Sequence, residues 1–300
     1  MSNKHRVLEA LWQHCQNGNY QFDNNLVADI CKKFGFKNQF DITKIDSKDD
    51  LPPSFLDQDI CLLHLGKGRH QFVHGIDKLY YTFEPMQDSI EWKYRKRLLD
   101  DANSSESNIL SIANHQRILH HFLFFNKIPP PQRKFMFQHN EAQLLPMKSM
   151  FGHNVIEFRH MDLDEELYCK SCRYSYATFL NGTAKTYFPH RTKTSLEYCF
   201  NGEKINAINQ QIEIDLAIEY NGTVCIFEAK NGTPKDFNIC QIYHPFLYYY
   251  NSGLNFRQII CVYFVYNKNS LKLWAYTFDE PKCLDSIKPL KSCEYILKWY

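Results

Sequence analysis

The sequence predicts an α/β or α+β protein in two parts, a small helical front ending in a hairpin and a larger body of strands and helices. Three observations predict it. Apolar residues recur at helical spacing near the start, two strand-like runs meet at Gly66-Lys67-Gly68, and the rest alternates short strand-like runs with helical stretches, without internal repeat. A chain of 300 residues that is 44% hydrophobic and 15% aromatic can bury one large core or two modest ones.

Val7, Leu8, Leu11 and Trp12 mark a helix over residues 4–16, and Leu26, Val27, Ile30 and Cys31 mark a second that Gly35 closes. A third short segment covers residues 40–45. Strands follow at 60–65 and 70–73, with the glycine-flanked turn between them. Helices followed by a basic-tipped hairpin predict a winged-helix-like DNA-recognition domain over residues 1–100. In it a helix at 38–44, with Lys44, approaches a groove while Lys67 and Arg69 on the wing touch the backbone. Residues 100–107 are polar and small, which places a boundary there and a second domain over 101–300. Ile109, Ile112, Ala113, Leu119, Phe122 and Leu123 then line one face of a core helix, stopped by Pro129-Pro130-Pro131.

Composition excludes several classes. The longest apolar run, 259–266, falls far short of the roughly 20 residues of a membrane-spanning helix, and the start MSNKHR lacks a signal peptide's apolar stretch. A soluble, cytoplasmic protein is expected. Eleven cysteines, an odd and irregularly spaced set, read as thiols in a reducing compartment. A net charge of +2 announces no nucleic acid, but basic clusters at 67–70, 93–97, 132–134 and 190–193 could meet phosphates; the last holds Arg191 and Lys193. Taken alone, each is better read as ordinary solvated surface, and only an independent DNA signal elsewhere in the chain would raise it.

The most informative stretch is QIEIDLAIEYNGTVCIFEAK, residues 211–230, where two strand-like runs flank Asn221-Gly222, a strong two-residue hairpin signal. That turn sets Tyr220 opposite Thr223, Asp215 opposite Glu228 and Glu213 opposite Lys230, all four of the latter on one face. Ile212, Ile214, Leu216, Ile218, Cys225, Phe227 and Ala229 share the other. Opposed carboxylates about 4.5–5.5 Å apart at Cβ repel, and a hard divalent cation such as Mg²⁺ reverses the sign. Lys230 could then position a water or help deprotonate it. An edge hairpin with a Glu213–Lys230 ion pair would show the same alternation. The strongly apolar opposite face and the aromatic helical segment behind it favour a central strand.

Asp215 followed after the hairpin by Glu228-Ala229-Lys230 resembles the D…ExK signature of the PD-(D/E)XK nucleases, with Ile214 where the usual proline stands. Gln241 resembles the glutamine that many relatives carry on the helix after the lysine strand, residues 259–265 look like the next core strand, and Glu197 looks like the acidic residue some members supply from a preceding helix. With the helical domain in front, the layout resembles a type II restriction endonuclease. The resemblance spans about residues 105–280 and is specific at 211–243. It implies a restriction-endonuclease-like α/β fold with a mixed central sheet flanked by helices. It also implies Mg²⁺ held by Asp215, Glu228 and the Ala229 carbonyl, a water oriented by Lys230, and site-specific cleavage of double-stranded DNA to 5′-phosphates by a homodimer. Glu213 is left as either a second-metal ligand or a partner of Lys230. The alternatives are a structure-specific repair or recombination nuclease and a non-catalytic winged-helix regulator.

Other signals are weaker. Cys169 and Cys172 form a CxxC that could supply half of a zinc site, with His153, His160 or Cys199 as complements, but no second CxxC or HxxxH stands at a suitable distance and no zinc is expected. His64, His70, His120 and His121 sit on structural elements and are read as packing or surface residues. Tyr248-Tyr249-Tyr250 reads as the end of a core helix rather than a stacking platform.

Overall fold

A computed structural model describes residues 2–16, 20–94, 122, 156–157, 167–169, 174–176, 185–187, 190–220, 223–254, 256–267 and 270–299. The helix expected at 109–123 lies outside these apart from Phe122, as do Asn221-Gly222, Cys172, His153, His160 and the clusters at 95–97 and 132–134.

The front contains α1 (Asn3–Cys15), β1 (Gln21–Asp23), α2 (Asn24–Lys33), α3 (Phe40–Thr43), a 3₁₀ turn (Lys48–Asp50), α4 (Pro53–Asp57), β2 (Ile60–Gly66) and β3 (Arg69–His74). Both leading helices are capped as their sequences dictate. Ser2 Oγ accepts the His5 N–H, and Asp23 Oδ1 accepts the Asn25 and Leu26 N–H groups, filling donors a first turn cannot satisfy itself. Val7, Leu8 and Leu11 are buried as their spacing requires, together with Val27, Ile30 and Cys31. The expected third helix is a single turn. The strands form a sheet of order β1-β3-β2, with β2 antiparallel to β3 about the glycine turn.

After α5 (Ile76–Leu79) and β4 (Tyr80–Thr82), β5 (Asp88–Tyr94) runs parallel to the C-terminal strand of the large sheet. The body adds β6 (Ile156–Glu157), β7 (Leu167–Cys169), β8 (Tyr174–Tyr176), β9 (Lys185–Tyr187), β10 (His190–Phe200), β11 (Glu203–Ile214), β12 (Leu216–Tyr220), β13 (Thr223–Asn231) and β14 (Asp236–Asn238). The helix α6 (Cys240–Tyr250) follows, then β15 (Gln258–Asn267), β16 (Ser270–Phe278) and β17 (Ile287–Trp299). The protein is thus a mixed α/β chain, rich in strands and closed into no barrel among the described residues. Its eight-stranded sheet has the order β5-β17-β16-β15-β13-β12-β9-β6 and combines parallel and antiparallel pairs.

Strand β13 is central, antiparallel to β12 and parallel to β15, and its run from Thr223 to Phe227 is wholly buried, as a strand covered on both faces requires. The segment α6 forms the crossover between β13 and β15, burying Tyr243, Phe246, Leu247 and Tyr249 while Tyr250 emerges at its end. Buried side chains from Val7 to Leu284 make one continuous cluster that includes the front and the body. Backbone pairs join the two: β4 with β14, Ile239 N to Leu79 O, and Asn238 N to Asp46 O. The cysteines whose side chains are described are free thiols. No described helix is long and apolar enough to cross a membrane.

Candidate active site

The site grows from a break in an otherwise uniform run. Strand β11 pairs with β10 in a separate two-stranded ribbon, then the chain bends at Asp215 and continues as β12 in the large sheet. From Leu216↔Phe227 to Tyr220↔Thr223 the β12–β13 register is the one the hairpin spacing predicts. Asp215 stands just past the last rung. Its Oδ2 accepts the Ala229 N–H at 2.9 Å, occupying the backbone donor that β12 no longer reaches. Glu228 and Lys230, two apart on β13, sit on one side, with Lys230 Nζ 3.0 Å from Glu228 Oε1. Asp215, Glu228 and Lys230 therefore gather around the Ala229 backbone.

Two pairings differ from expectation. Asp215 does not oppose Glu228 in the ladder, and Glu213 faces Arg191 rather than Lys230, with Arg191 Nε and Nη2 at 2.9 and 2.6 Å from Glu213 Oε1. The bend is the reason: strict alternation carries a side chain to a given face only while the strand stays in one sheet. The hydrogen bond to Glu213, then the charges of Glu213 and Asp215, raise the Arg191 pKa further above its ordinary value. Glu197 is also displaced from its expected role. It lies on strand β10, not on a helix, and pairs with Lys204 at 3.3 Å, six residues and so roughly 20 Å along the strand from Arg191.

Beside this group lies a cleft of about 190 Å³, where the front meets the body. Glu213, Gln211 and Glu228 line one side, Lys44 and Asp46 another, and Gln241, His244 and Pro245 of α6 the floor. Gln241 is fixed at both ends of its amide: Nε2 donates to Asp46 Oδ1 at 3.1 Å, and Oε1 accepts the Tyr263 hydroxyl at 3.2 Å. Pro245, without an N–H, withholds the helical hydrogen bond from the Gln241 carbonyl. Lys44 Nζ lies 3.6 Å from Asp46 Oδ2 and remains mostly exposed. Asp46 is a site residue the sequence did not disclose; it sits in an acidic loop far from the hairpin, with no spacing that ties it there.

Two histidines line the cleft, His64 half-buried and His244 buried. His64 bonds through Nε2 to the Thr43 carbonyl at 3.0 Å, and His244 to the Tyr198 hydroxyl at 3.4 Å. Desolvation lowers both pKa values, that of His244 to about 3, and His70, stacked on Phe22 with its ring 4.8 Å from that of His64, is likewise lowered to about 3. These imidazoles are neutral at physiological pH.

Of the basic residues, Lys67 is exposed on the β2–β3 turn, Arg69 is half-buried beside it, and Lys193 is exposed on β10 opposite Gln211. The turn rests on the ribbon. A Cβ at Gly66, whose φ is +72°, would lie 2.8 Å from the Ile208 carbonyl carbon and 2.9 Å from the Gln210 nitrogen. Among the described residues no three His, Cys, Asp or Glu side chains converge as a ready-made metal cage.

Residues 167–296 match the family described as Domain of unknown function (DUF6997), and residues 5–72 match the one described as Domain of unknown function (DUF6996). Asp215, Glu228, Lys230 and Gln241 fall in the first span, and Lys44, Asp46, Lys67 and Arg69 in the second. No curated protein and no solved structure matches the chain.

Proposed function

We propose that the protein is a Mg²⁺-dependent endonuclease of the PD-(D/E)XK kind, acting on double-stranded DNA as a type II restriction endonuclease does. The observation that carries the reading is the convergence of Asp215, Glu228 and Lys230 around the Ala229 backbone, where the charged face of β13 meets the bend after β11. Gln241 on the following helix, fixed between Asp46 and Tyr263 beside Glu228, is a second element of the same pattern.

The donor set fits the ion. Two carboxylates and a carbonyl are hard oxygens, and Mg²⁺ is ordinarily held by one or two carboxylates together with waters and substrate phosphates rather than by an all-protein cage. Asp215, Glu228 and the Ala229 carbonyl would hold it, and when bound it supplies Lewis acidity to the scissile phosphate. The Lys230 ammonium orients the attacking water and balances charge on the phosphate. Lys67, Arg69 and Lys44, on the winged-helix-like front, meet the DNA backbone, while a homodimer sets two sites on a two-fold target.

The test is cleavage of plasmid DNA with Mg²⁺, with EDTA and with Lys230→Ala, followed by sequencing of the ends. Discrete Mg²⁺-dependent fragments with 5′-phosphates, lost in the variant, are expected. Cutting confined to flaps or branches would make it a repair nuclease, and binding without cutting in Mg²⁺ or Mn²⁺ would make it a regulator.

A further inference from the structure

We infer that the β10–β11 ribbon is the element that reads base sequence, inserted into the DNA major groove, with Lys193, Asn206 and Gln211 as specificity-determining residues. The inference rests on the nuclease reading above.

The ribbon has two unlike faces. Leu196, Tyr198, Ile205, Ala207 and Ile212 pack inward and are buried, while Arg191, Lys193, Asn206, Gln211 and Glu213 are exposed. Ion pairs occupy both ends of the outer face, Arg191 with Glu213 near the site and Glu197 with Lys204 near the far turn. Between them stand Lys193, Ser195 and Gln211, with Ile208 41% exposed, and Asn206 lies directly opposite Glu197. A lysine, a hydroxyl and two amides form a set able to hydrogen-bond base edges, where amides match adenine and lysine matches guanine, and an exposed isoleucine suits a thymine methyl.

Shape agrees with chemistry. A two-stranded antiparallel ribbon is one of the two elements the major groove admits, and about eleven residues at roughly 3.3 Å each give about 35 Å, near one turn of duplex. A bulge between Thr194 and Leu196 interrupts the register, with Asn209 at φ +53°, which is where a ribbon bends and re-aims its side chains. The turn carrying exposed Lys67 rests on this region through Gly66, which sets a phosphate contact beside the base-reading face. Continuity with the site is the remaining argument. Ile214 ends the ribbon and Asp215 follows it, so a base held by the ribbon lies at a distance from the cleaved phosphate fixed by the chain itself.

The experiment sequences cleavage products from a randomised duplex library for the wild type and for Lys193→Ala, Asn206→Ala and Gln211→Ala, with Lys67→Ala as the backbone-contact control. Affinity for non-specific duplex in Ca²⁺ and thermal unfolding are measured alongside. At least two of the three ribbon variants are expected to lose roughly 5- to 100-fold in cutting at the preferred site and to relax preference at one base position. For Asn206→Ala, non-specific affinity and melting should hold at the wild-type level. Lys67→Ala is expected to weaken binding evenly across sequences and to lower the salt slope by about 1. Unchanged site preference in all three ribbon variants would overturn this inference and leave the nuclease reading standing, whereas a wild type that cuts without preference would overturn it together with the type II part of that reading, leaving Mg²⁺-dependent cleavage alone. A wild type that neither binds nor cuts duplex DNA would overturn both.

Discussion

Lowering the pH from 7.5 to 5 should cost this protein about 4 kcal/mol of folding stability through two buried histidines. His70 and His244 both have pKa values lowered to about 3, chiefly by desolvation and further by the neighbouring His64. In the unfolded chain each titrates near 6.5. Below 6.5 the unfolded state therefore binds more protons than the folded one, so stability falls as pH falls from 6.5 toward 3. At pH 5 an unfolded histidine is almost wholly protonated, while a folded one near 3 is almost wholly neutral. Each contributes a loss of about 2 kcal/mol, and His64, shifted the same way, adds to it. That sum is a large part of a typical 5–15 kcal/mol stability. Urea unfolding at pH 7.5, 6 and 5 measures it, and His244→Gln, which keeps a hydrogen-bonding group for Tyr198, should make the pH dependence shallower by about 1.4 kcal/mol per pH unit. Equal stability at pH 5 and 7.5, or native imidazole resonances of these residues titrating near 6.5, would refute the burial argument.

Gly66→Ala should destabilise by about 2 kcal/mol or more, since it adds a left-handed alanine and sets its Cβ against the Ile208 and Gln210 backbone. Gly202→Ala, also at positive φ (+81°) but in open space, isolates the collision; equal melting temperatures for the two variants would mean that the turn does not press on the ribbon. Phe237, fully buried and within 4.4–5.9 Å of the Tyr81, Phe83, Tyr263 and Tyr276 ring centroids, should cost about 3–5 kcal/mol on truncation to alanine. An unshifted denaturation midpoint would disprove it. Asp23→Ala removes the cap of α2 and should cost about 0.5–2 kcal/mol, with Asp23→Asn retaining most of it. Because these hydrogen bonds lower the Asp23 pKa, its stabilisation is present above the usual carboxylate value and lost as pH falls through the lowered one.

Local pattern made the helices at the start, the β2–β3 hairpin, β13, α6 and β15 legible, because each owes its form to its own periodicity, cap or turn. The β12–β13 register was readable for the same reason, as Tyr220 and Thr223 flank the turn. What remained hidden depends on partners far along the chain. Ile212 to Ile218 alternate without interruption across Asp215, so nothing local marks where the strand leaves β10 and joins β13. Asp46 reaches Gln241 across 195 positions, and Asp88 of β5 pairs with Cys293 of β17. Pairings of that kind are set by packing of the whole core, which a window of residues does not contain.

The bend at Asp215 separates the structural use of that residue from the chemical one proposed for it, and a pair of variants can read both. Ala229 is fully buried, and its N–H takes the Asp215 carboxylate where the β12 ladder has ended. Asp215→Ala orphans that donor, at a cost of about 1–3 kcal/mol. Asp215→Asn keeps a carbonyl oxygen for it and removes only the charge that an oxygen-bound cation needs. The asparagine variant should therefore fold with nearly wild-type stability and lose cleavage, while the alanine variant loses both. If the two variants melt together well below the wild type, the carboxylate's charge rather than its hydrogen bond holds the bend. If asparagine cuts DNA as well as aspartate does, Asp215 is a structural residue and the cation site proposed on it is wrong.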